Sequence, residues 1–448
     1  MSRRPAQPTT GSSRPQLGAV VGHPAGPSRR SRALIGGVAT TLAVTLTACA
    51  GPAPDEGVIR SDAEYVAVVP ADAPAAPDAV AATERLGLLA LRSSDQANAL
   101  VSPASLTFAL AMLAEGAHGE TAASLDDALG ASGAERSDAY NALLGALSGY
   151  DGDPGVADDD ELPDRPLLHL ANQAVLDDQL DAEPAYLDSL ATAFDAGIQR
   201  TDLGSGEGKA LLDSWVRHHT GGLVDASAIQ PDPDLRLVLQ NAVVLAARWE
   251  QPFDEHATSD EDFTGPDGTE PTEMVHQASR WAYAESGGWQ AVRLPYVEAF
   301  HADVLLPPDG TDPADVPAET LTELTTALDV AEPQQVDLTM PTLKLEPPSL
   351  DLGPALEDAG LGGLYDAPDL SGISAEPLVL GGAHQQAYLR LDEEGTVAAA
   401  VTELGVEAGA APSDDPVPMD VNRPYLLRIA HTETALPLFL AAVRSPRH

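Results

Sequence analysis

In the first half of the chain, apolar residues recur every three to four positions, which is the spacing of helices that bury one face. This period predicts helices over Asp78–Ser93 and Ser105–Glu115, and a Ser-Pro pair just before the second is typical of a helix start. One or two shorter helices are predicted within Asp126–Leu147, and another over Glu207–His219.

Apolar or alternating segments later in the chain predict β-strands. Buried strands are expected at Leu167–Leu176 and Leu235–Ala246, on either side of the last predicted helix. Shorter strands are expected at Gln290–Pro295, His301–Leu306, Gln335–Pro341, Ala387–Leu391, Tyr425–Ala430 and Leu436–Val443. Helices in the first half and strands in the second indicate an α+β domain, not a repeating βαβ array.

The segment Leu391–Thr402 fits neither an exposed helix nor a core strand, because it joins an acidic turn to a run of small residues. Read with a period of two, it separates into a small or apolar face and a face that holds its charges. The first face carries Thr396, Ala398, Ala400, Thr402, Leu404 and Val406, and the second carries Val397, Ala399, Val401, Glu403, Gly405 and Glu407. The Pro- and acid-rich tract Ala411–Pro418 follows. The pattern predicts a strand that can be buried on one face but is attached to an exposed loop, a candidate conformational switch.

The composition is strongly acidic, with 24 basic and 69 acidic residues in 448 and a formal net charge of −45. A surface of this charge repels nucleic acids and heparin-type polyanions, so neither is an expected partner. The length allows one large domain or two ordinary ones.

The N-terminal 48 residues differ from the rest, since they contain six Arg and no acidic residue. The apolar run Ala33–Leu46 is too short to span a bilayer but matches the core of a secretory signal. It leads into Leu-Thr-Ala-Cys, which resembles a bacterial lipobox ending at Cys49, the one cysteine of the chain. We therefore predict a lipoprotein signal peptide over residues 1–48, lipidation of Cys49, a tether over 49–72 and a folded domain over 73–448. The protein would then be secreted or anchored to the outer face of a bacterial membrane, without disulfides.

Motifs for catalysis or metal binding are missing from the sequence. There is no Gly-x-Ser-x-Gly, Ser-x-x-Lys or His-Glu-x-x-His motif and no cysteine pair. His218 and His219 are adjacent, so on a helix their rings point about 100° apart and cannot clamp one metal ion. The acidic loop Asp151–Arg165 lacks the alternating ligand positions of a calcium loop. We predict a protein that is not an enzyme and needs no metal or cofactor.

Several short segments form an ordered set along the chain. They are Asn98–Thr121, Asn241–Trp249 with Phe253, Leu294–Tyr296, Met340–Lys344, Asp369–Ser374, Leu391–Thr402, Asn422–Tyr425 and Leu438–Leu440. In this order and at this spacing they resemble the serpin family across roughly residues 73–446. The resemblance implies a monomer with three β-sheets, eight or nine helices and an exposed reactive-centre loop.

The resemblance also implies a mechanism of suicide inhibition. A serine protease attacks the loop and forms an acyl-enzyme, and the cut loop inserts as a strand into the central sheet, which traps the protease. The loop hinge would comprise Glu394, Gly395, Thr396, Val397, Ala398, Ala399, Ala400, Val401 and Thr402. Its small inward face supports insertion, because large side chains would overpack the sheet. Val397 departs from the family, which commonly has Glu there, but it would face outward.

Five further residues match positions near the point where the sheet opens in this family. They are Ser102, Ser105, Asn241 and His384 in a polar cluster, and Trp249 near the top of the opening. The alternatives are ordinary structural roles. The two serines would then cap a helix, and Asn241 and His384 would form a polar pair in the core.

The target protease is predicted from the residues around the expected scissile bond. Counting from Gly395 at the family's spacing places this bond at Gly409–Ala410, and the length of the following segment leaves Ala408–Gly409 and Ala410–Ala411 open. Because only small side chains flank it, an elastase-like or subtilisin-like protease fits better than a trypsin-like one. A non-inhibitory serpin-fold binding or structural lipoprotein is the alternative. A solute-binding lipoprotein would need two similar lobes, which the sequence lacks.

Overall fold

The computed structural model describes residues 64–158, 161–396 and 416–446. Eight α-helices lie in these ranges. They are α1 (Ala76–Arg92), α2 (Pro103–Ala114), α3 (Gly119–Leu129), α4 (Gly133–Leu147), α5 (Pro184–Phe194), α6 (Gly206–His219), α7 (Ala318–Val330) and α8 (Gly353–Asp358). With three β-sheets in the same ranges, they confirm the predicted α+β class.

The largest sheet has nine strands and forms most of the core with the helices. Its order is β1 (Ala99–Val101), β17 (Pro437–Val443), β16 (Tyr425–His431), β8 (Phe300–Leu306), β7 (Trp289–Pro295), β6 (Gly268–Ser286), β9 (Gln334–Pro341) and β15 (Val417–Asp420), with β5 (Ser259–Gly265) paired to β6. Every residue of β8, β16 and β17 is buried, including the polar residues His301, Asp303 and Arg428 among their mostly apolar side chains.

The second sheet has six strands and includes Gly395 and Thr396 of the predicted switch segment. Its order is β10 (Leu343–Leu345), β13 (Leu389–Leu391), β14 (Gly395–Thr396), β4 (Leu237–Arg248), β2 (Leu167–Asp177) and β3 (Gly197–Thr201). Strands β11 (Leu350–Asp351) and β12 (His384–Gln385) form a separate two-stranded sheet. On β4, alternate residues such as Leu239 and Leu245 pack on the main core, and we call this the inner face. The intervening residues form the outer face, where Val238 packs under Leu212 of helix α6.

Helix α2 packs between the inner face of the six-stranded sheet and the main core. Ten of its twelve residues are buried, in line with its nearly continuous apolar sequence. Its start is fixed by Ser102, whose hydroxyl accepts a hydrogen bond from the Ser105 amide at 3.3 Å, and by Pro103 in the first turn. The N-terminal end of α2 is therefore held at the sheet.

The predicted elements agree with the observed ones to within a few residues, but several elements were not predicted. Helices α5 and α7, strand β3 and the β5–β6 hairpin are the main additions. Because α7 lies among the later strands, the predicted division into a helical half and a strand half is too simple. The β5–β6 hairpin escaped prediction because its paired residues, 259–265 and 268–274, include few large apolar side chains, so its alternation carries little apolar signal.

Residues 64–72, which fall within the predicted tether of residues 49–72, include contacts to the helices of the folded domain. Asn141 of α4 holds the described part of that segment, because its Oδ1 accepts from the Val68 amide at 2.6 Å and its Nδ2 donates to the Val66 carbonyl at 3.0 Å. The Val66 amide also donates to the Thr192 carbonyl of α5 at 3.2 Å. These contacts could not be read from sequence, since Asn141 lies in an ordinary helical pattern.

A buried ionic network crosses the nine-stranded sheet at Asp303 of β8, whose side chain is fully buried. Its carboxylate accepts two hydrogen bonds from Arg293 of β7, at 2.6 and 3.0 Å, and one from Arg428 of β16 at 3.2 Å. Arg428 also reaches Glu84 of α1 at 2.9 Å. The network ties three neighbouring strands to a helix. The network also includes the side chain of His301, so His301 is a core residue.

Candidate functional site

The acidic turn Asp392–Gly395 joins β13 to β14 and is held tightly to the sheet. Within it, the Asp392 carboxylate accepts from the amides of Glu394 and Gly395 at 3.1 and 3.3 Å. Outside it, the Glu394 carbonyl accepts from the Trp249 amide, and the Glu393 carbonyl accepts from the Phe253 amide, both at 2.8 Å. Asp, Glu and Gly suit such a turn because Asp can bond the backbone two residues on. The segment thus enters the sheet from a fixed point.

Trp249 is the main support of this turn, at the position expected near the top of the opening. It is 2% exposed, its indole nitrogen donates to the Asp392 carbonyl at 3.0 Å, and its ring stacks on Tyr296 with centroids 4.3 Å apart. Tyr296 in turn exchanges a hydrogen bond of 2.5 Å with the Thr396 hydroxyl. Burial raises the pKa of Asp392, which lies among these groups. These contacts therefore hold the first hinge residues, Glu394–Thr396, in place.

Thr396 and Gly395 already occupy the sheet as a strand of two residues. Gly395 pairs with Arg248 and Thr396 with Ala247 of β4, while Thr396 pairs with Leu391 on its other side. Thr396 is 1% exposed. Glycine is required here by a close approach of two backbones, because a Cβ at Gly395 would lie 2.2 Å from the Ala247 carbonyl oxygen.

Gly395→Ala is expected to expel the hinge from the sheet, because the new methyl group overlaps a backbone atom that cannot move away. Backbone amide hydrogen exchange at Thr396 should accelerate by at least tenfold, which corresponds to a loss of about 1.4 kcal/mol of local stability. Gly362→Ala is the matched control, since the nearest atom to its Cβ would be a flexible Glu357 side chain at 3.7 Å. Unchanged exchange at Thr396 would contradict the close-approach argument.

Beyond Thr396, the edge of β4 that faces β13 is open. β2 covers the other edge from Leu237 to Ala246, but within the described ranges only β14 pairs with the open edge. A cavity of about 600 Å³ runs along it. Its walls include Val238–Leu245 of β4, Leu378–Leu389 of the facing segment, Leu110 of α2 and Val216 of α6, with Thr396 at one end. The sheet therefore has room for a further strand that continues from Thr396.

The residues of the predicted polar cluster lie on this cavity. Ser102 exchanges two backbone hydrogen bonds with the Gln385 side chain, at 2.8 and 2.9 Å. Ser105 donates its hydroxyl to the Asn241 carbonyl at 3.4 Å. The Asn241 amide donates to Asn172 at 2.6 Å. The structure thus brings together both serines and Asn241, and adds Gln385 and Asn172.

His384 is placed differently from the other cluster residues. It is exposed and pairs with Asp351 through the β11–β12 backbone, while its neighbour Gln385 makes the contacts to Ser102. Side chains of adjacent strand residues point to opposite faces, so only one of the two can reach Ser102. The structure therefore corrects the expected contact to Gln385. Gln385 and Asn172 carried no sequence signal because isolated amides are common on surfaces.

The comparison with protein families identifies this architecture. A family model described as serpin (serine protease inhibitor) matches residues 86–446. The chain belongs to the serpin family. Serpins are mostly serine protease inhibitors, not catalysts, and the resemblance proposed from the short motifs is confirmed.

Similar proteins align with this serpin over most of its length. Iripin-5 of Ixodes ricinus is 30% identical over 368 residues, which span 80% of this chain and 91% of that protein. Leukocyte elastase inhibitor of Bos taurus is 29% identical over 370 residues, which span 78% and 93%. The crystal structure of a thermophilic serpin, tengpin, in its native state superposes with a TM-score of 0.70 at 22% identity and covers 88% of this chain and 98% of that one. These similarities confirm the serpin fold.

Several predicted site residues of this serpin lie outside the described ranges. They are the hinge residues Val397, Ala398, Ala399, Ala400, Val401 and Thr402, the bond residues Gly409 and Ala410, and Cys49. The described hinge residues are Glu394, Gly395 and Thr396, which carry the sheet contacts given above.

The histidine pair on helix α6 of the serpin is engaged in contacts to the sheet. His219 meets His169 of β2 at 2.8 Å between ring nitrogens, and His169 also contacts Asp151 at 2.7 Å. Burial, with smaller contributions from His169 and His218, lowers the pKa of His219 to about 3, so it is neutral near pH 7. Among the residues that the structure describes, no group of three or more acidic, His or Cys side chains is arranged to hold a metal ion.

Proposed function

We propose that this serpin is a suicide-substrate inhibitor of extracellular serine proteases. The observation that carries the proposal is the open edge of β4, which begins where Thr396 already pairs and borders a cavity of about 600 Å³. A strand that continues from Thr396 would satisfy the open backbone groups of this edge. Cutting the reactive-centre loop frees the chain to supply such a strand.

The side chains of the loop fit this route. After Thr396, the inner-face residues would be Ala398, Ala400 and Thr402, all small enough to enter between β4 and the facing segment. The polar contacts of Ser102 and Asn241 also suit a sheet that parts, because hydrogen bonds can be exchanged with new partners as strands separate. Insertion then moves an attached acyl-enzyme away from the geometry needed for deacylation.

The proposed targets are elastase-like or subtilisin-like proteases. Only small residues flank the expected scissile bond Gly409–Ala410, and a protease with a small primary pocket accepts them. The similarity to a protein named leukocyte elastase inhibitor supports this choice. We expect no cofactor and a monomeric inhibitor.

A denaturing gel tests the proposal. Residues 50–448 are mixed with pancreatic elastase or subtilisin at equal molar amounts and boiled in detergent. A band at the summed mass of serpin and protease is the expected result, because an acyl-enzyme ester survives denaturation. A protease inactivated beforehand at its serine is the control and should give no band. If every chain is merely cleaved near Gly409, the protein is a substrate and the non-inhibitory alternative holds.

We further propose that the protein is held at the outer face of a bacterial membrane by lipid on Cys49. Within the described ranges, no helix is both long and apolar enough to cross a membrane. Cys49→Ala should move the full-length protein from the detergent phase to the aqueous phase in a Triton X-114 partition after expression in a bacterial host. Thr47→Ser, which leaves the cysteine and its small neighbour Ala48 in place, should partition like the parent. Equal partitioning of the Cys49→Ala variant and the parent would refute lipidation.

A further inference from the structure

The last turn of helix α6 is held to the six-stranded sheet by a hydrogen bond between two histidines. Arg217 and His218 of this turn are exposed, so its contact with the sheet runs through His219. Nδ1 of His219 lies 2.8 Å from Nε2 of His169 on β2. His169 pairs with Val244 of β4, which places it on the outer face of the sheet, under the helix. We call the His169–His219 hydrogen bond the histidine bridge.

The two rings of the bridge meet nitrogen to nitrogen. Their planes differ by only 2°, and their centroids lie 5.1 Å apart. The nitrogen–nitrogen distance of 2.8 Å is well below the contact distance of stacked rings, about 3.5 Å, so the rings are not stacked face to face. A hydrogen bond needs one donor and one acceptor, so one of the two facing nitrogens carries a proton and the other lacks one.

Asp151, in the loop before β2, limits where the protons can lie. Its carboxylate is 2.7 Å from Nδ1 of His169, which therefore carries a proton and donates it to this bond. The bridge can hold one extra proton, because an imidazolium at His169 would donate from Nε2 to the neutral His219. A second extra proton would put hydrogens on both facing nitrogens, and two imidazolium rings repel each other at 2.8 Å.

The groups that face His219 oppose a charge on it. His169 faces it from β2, His218 lies beside it on the helix, and the apolar ring of Trp215 packs on it with centroids 4.4 Å apart. Burial, followed by the charges of His169 and His218, lowers the pKa of His219 to about 3. This outweighs the end of the helix, which by itself favours a cation.

The carboxylates of the neighbouring segments are bound to other groups. Asp151 contacts the far side of the His169 ring, and Asp153 of the same loop accepts from the Gly155 amide at 2.9 Å. Asp225, after the helix, lies 4.0 Å from the Arg217 guanidinium. These contacts leave the second proton on the bridge without a carboxylate to balance it.

We propose that the histidine bridge is an acid-sensitive switch that holds the end of helix α6 on the sheet until both rings are protonated. Breaking the bridge would free the last turn of α6 and the segment after it. Thr220, Leu223 and Val224 of that segment line the cavity beside β4. Acid would therefore open this cavity from the outer face of the sheet. The inference does not depend on the inhibitory function, because it concerns the packing of α6 in the uncut protein.

The direction of the pH dependence follows from the number of protons bound. Below the ordinary histidine pKa of 6.5, the open pair takes up two extra protons, whereas the bridged pair holds only one. A histidine whose pKa is lowered in the bridged state stabilises that state above about pH 6.5, and the stabilisation is lost as the pH falls. The equilibrium constant for opening should rise about tenfold per pH unit between about pH 6 and pH 4.

Hydrogen exchange of the intact protein tests the switch over this pH range. The amides of Thr220 and Gly222 donate to the carbonyls of Val216 and Arg217, so their protection reports whether the end of α6 is closed. After correction for the intrinsic pH dependence of exchange, their protection should fall about tenfold per pH unit relative to the amides of helix α7. Helix α7 is the reference, because acid destabilisation of the whole protein affects both helices equally.

Three variants show whether the bridge is responsible. His219→Asn keeps a hydrogen-bonding group near the place of Nδ1 but cannot take up a proton, so the extra pH dependence at α6 should disappear. Asp151→Asn removes the 57%-exposed carboxylate that balances the first proton, so the end of α6 should open at a higher pH. His218→Asn, the same change at the exposed neighbouring histidine, is the control and should keep the tenfold slope.

Two results would overturn the inference. The first is a parent protein in which protection of α6 and α7 falls equally with pH, because the bridge would then not respond to acid. The second is a slope that persists in His219→Asn, because another group would then titrate. If His219→Asn does not fold, Asp151→Asn decides the question, and an unchanged opening pH in that variant would contradict the shared proton.

Discussion

Replacing Thr396 with arginine is expected to abolish covalent trapping and to turn the inhibitor into a substrate. Thr396 is 1% exposed, and its hydroxyl is bonded to Tyr296. An arginine there would force a long charged side chain into a buried position that holds only a threonine. The penalty is several kcal/mol, which is enough to stop insertion before the acyl-enzyme hydrolyses. The fraction of protease captured on a denaturing gel should fall by at least tenfold.

Two further variants show whether this effect comes from insertion. Thr396→Ser keeps the hydroxyl and should trap the protease nearly as well as the parent. Ala398→Arg leaves the Thr396 contacts intact but places an arginine on the inner face, so it should behave like Thr396→Arg. Circular dichroism should confirm that both arginine variants are folded. Undiminished trapping by a folded arginine variant would show that this face of the loop does not enter the sheet.

Asp303→Asn is expected to lower the free energy of unfolding by about 3–5 kcal/mol, as measured by urea denaturation. The aspartate pairs with both Arg293 and Arg428, whose side chains are 13% and 3% exposed. An amide of the same shape carries no charge, so the two guanidiniums would keep only Glu84 and Asp329 as acidic partners. Asp329→Asn is the matched control, since it removes a 56%-exposed partner of the same Arg293 and should cost less than about 1 kcal/mol. A similar small loss in both variants would contradict the role of the network.

Asp303 is also expected to make the stability of the protein depend on pH in acid. Burial alone would raise the pKa of Asp303, but the neighbouring His301 and the hydrogen bonds from Arg293 outweigh it and hold the pKa below its usual range. Burial lowers the pKa of His301 itself, so the arginines carry the balancing charge near pH 7. A carboxylate with a lowered pKa in the folded state stabilises the protein above about pH 4, and the effect disappears as the pH falls below that value. The urea midpoint of the parent should decrease as the pH falls below about 4. The midpoint of Asp303→Asn should decrease less steeply over the same pH range.

The sequence was sufficient for the family. Its period of two predicts that Thr396 lies on the buried face of a strand, and Thr396 is 1% exposed. A period of two is informative because successive side chains of a strand point to opposite faces, so alternation along the sequence alone decides which residues share the buried face. The order of the short motifs identified the family, and the family model confirms that identification.

Contacts between distant segments could not be predicted in this way. Gln385 bonds Ser102 across 283 positions of sequence, and Arg428 reaches Glu84 across 344. Such pairs depend on the exact packing of strands, which local pattern does not encode. The close approach of Gly395 to β4 was also hidden, because sequence alone does not separate a glycine needed for space from one needed for conformational freedom.

Hydrogen exchange along β4 tests the central claim most directly. The amides of Val238–Leu245 that point away from β2 face the cavity, so they should exchange quickly in the intact protein. After cleavage near Gly409, these amides should become protected by at least a hundredfold, while the amides already bonded to β2 change little. That result would place the loop beside β4. If the cavity-facing amides of β4 exchange equally fast before and after cleavage, the loop does not insert there and the account is contradicted.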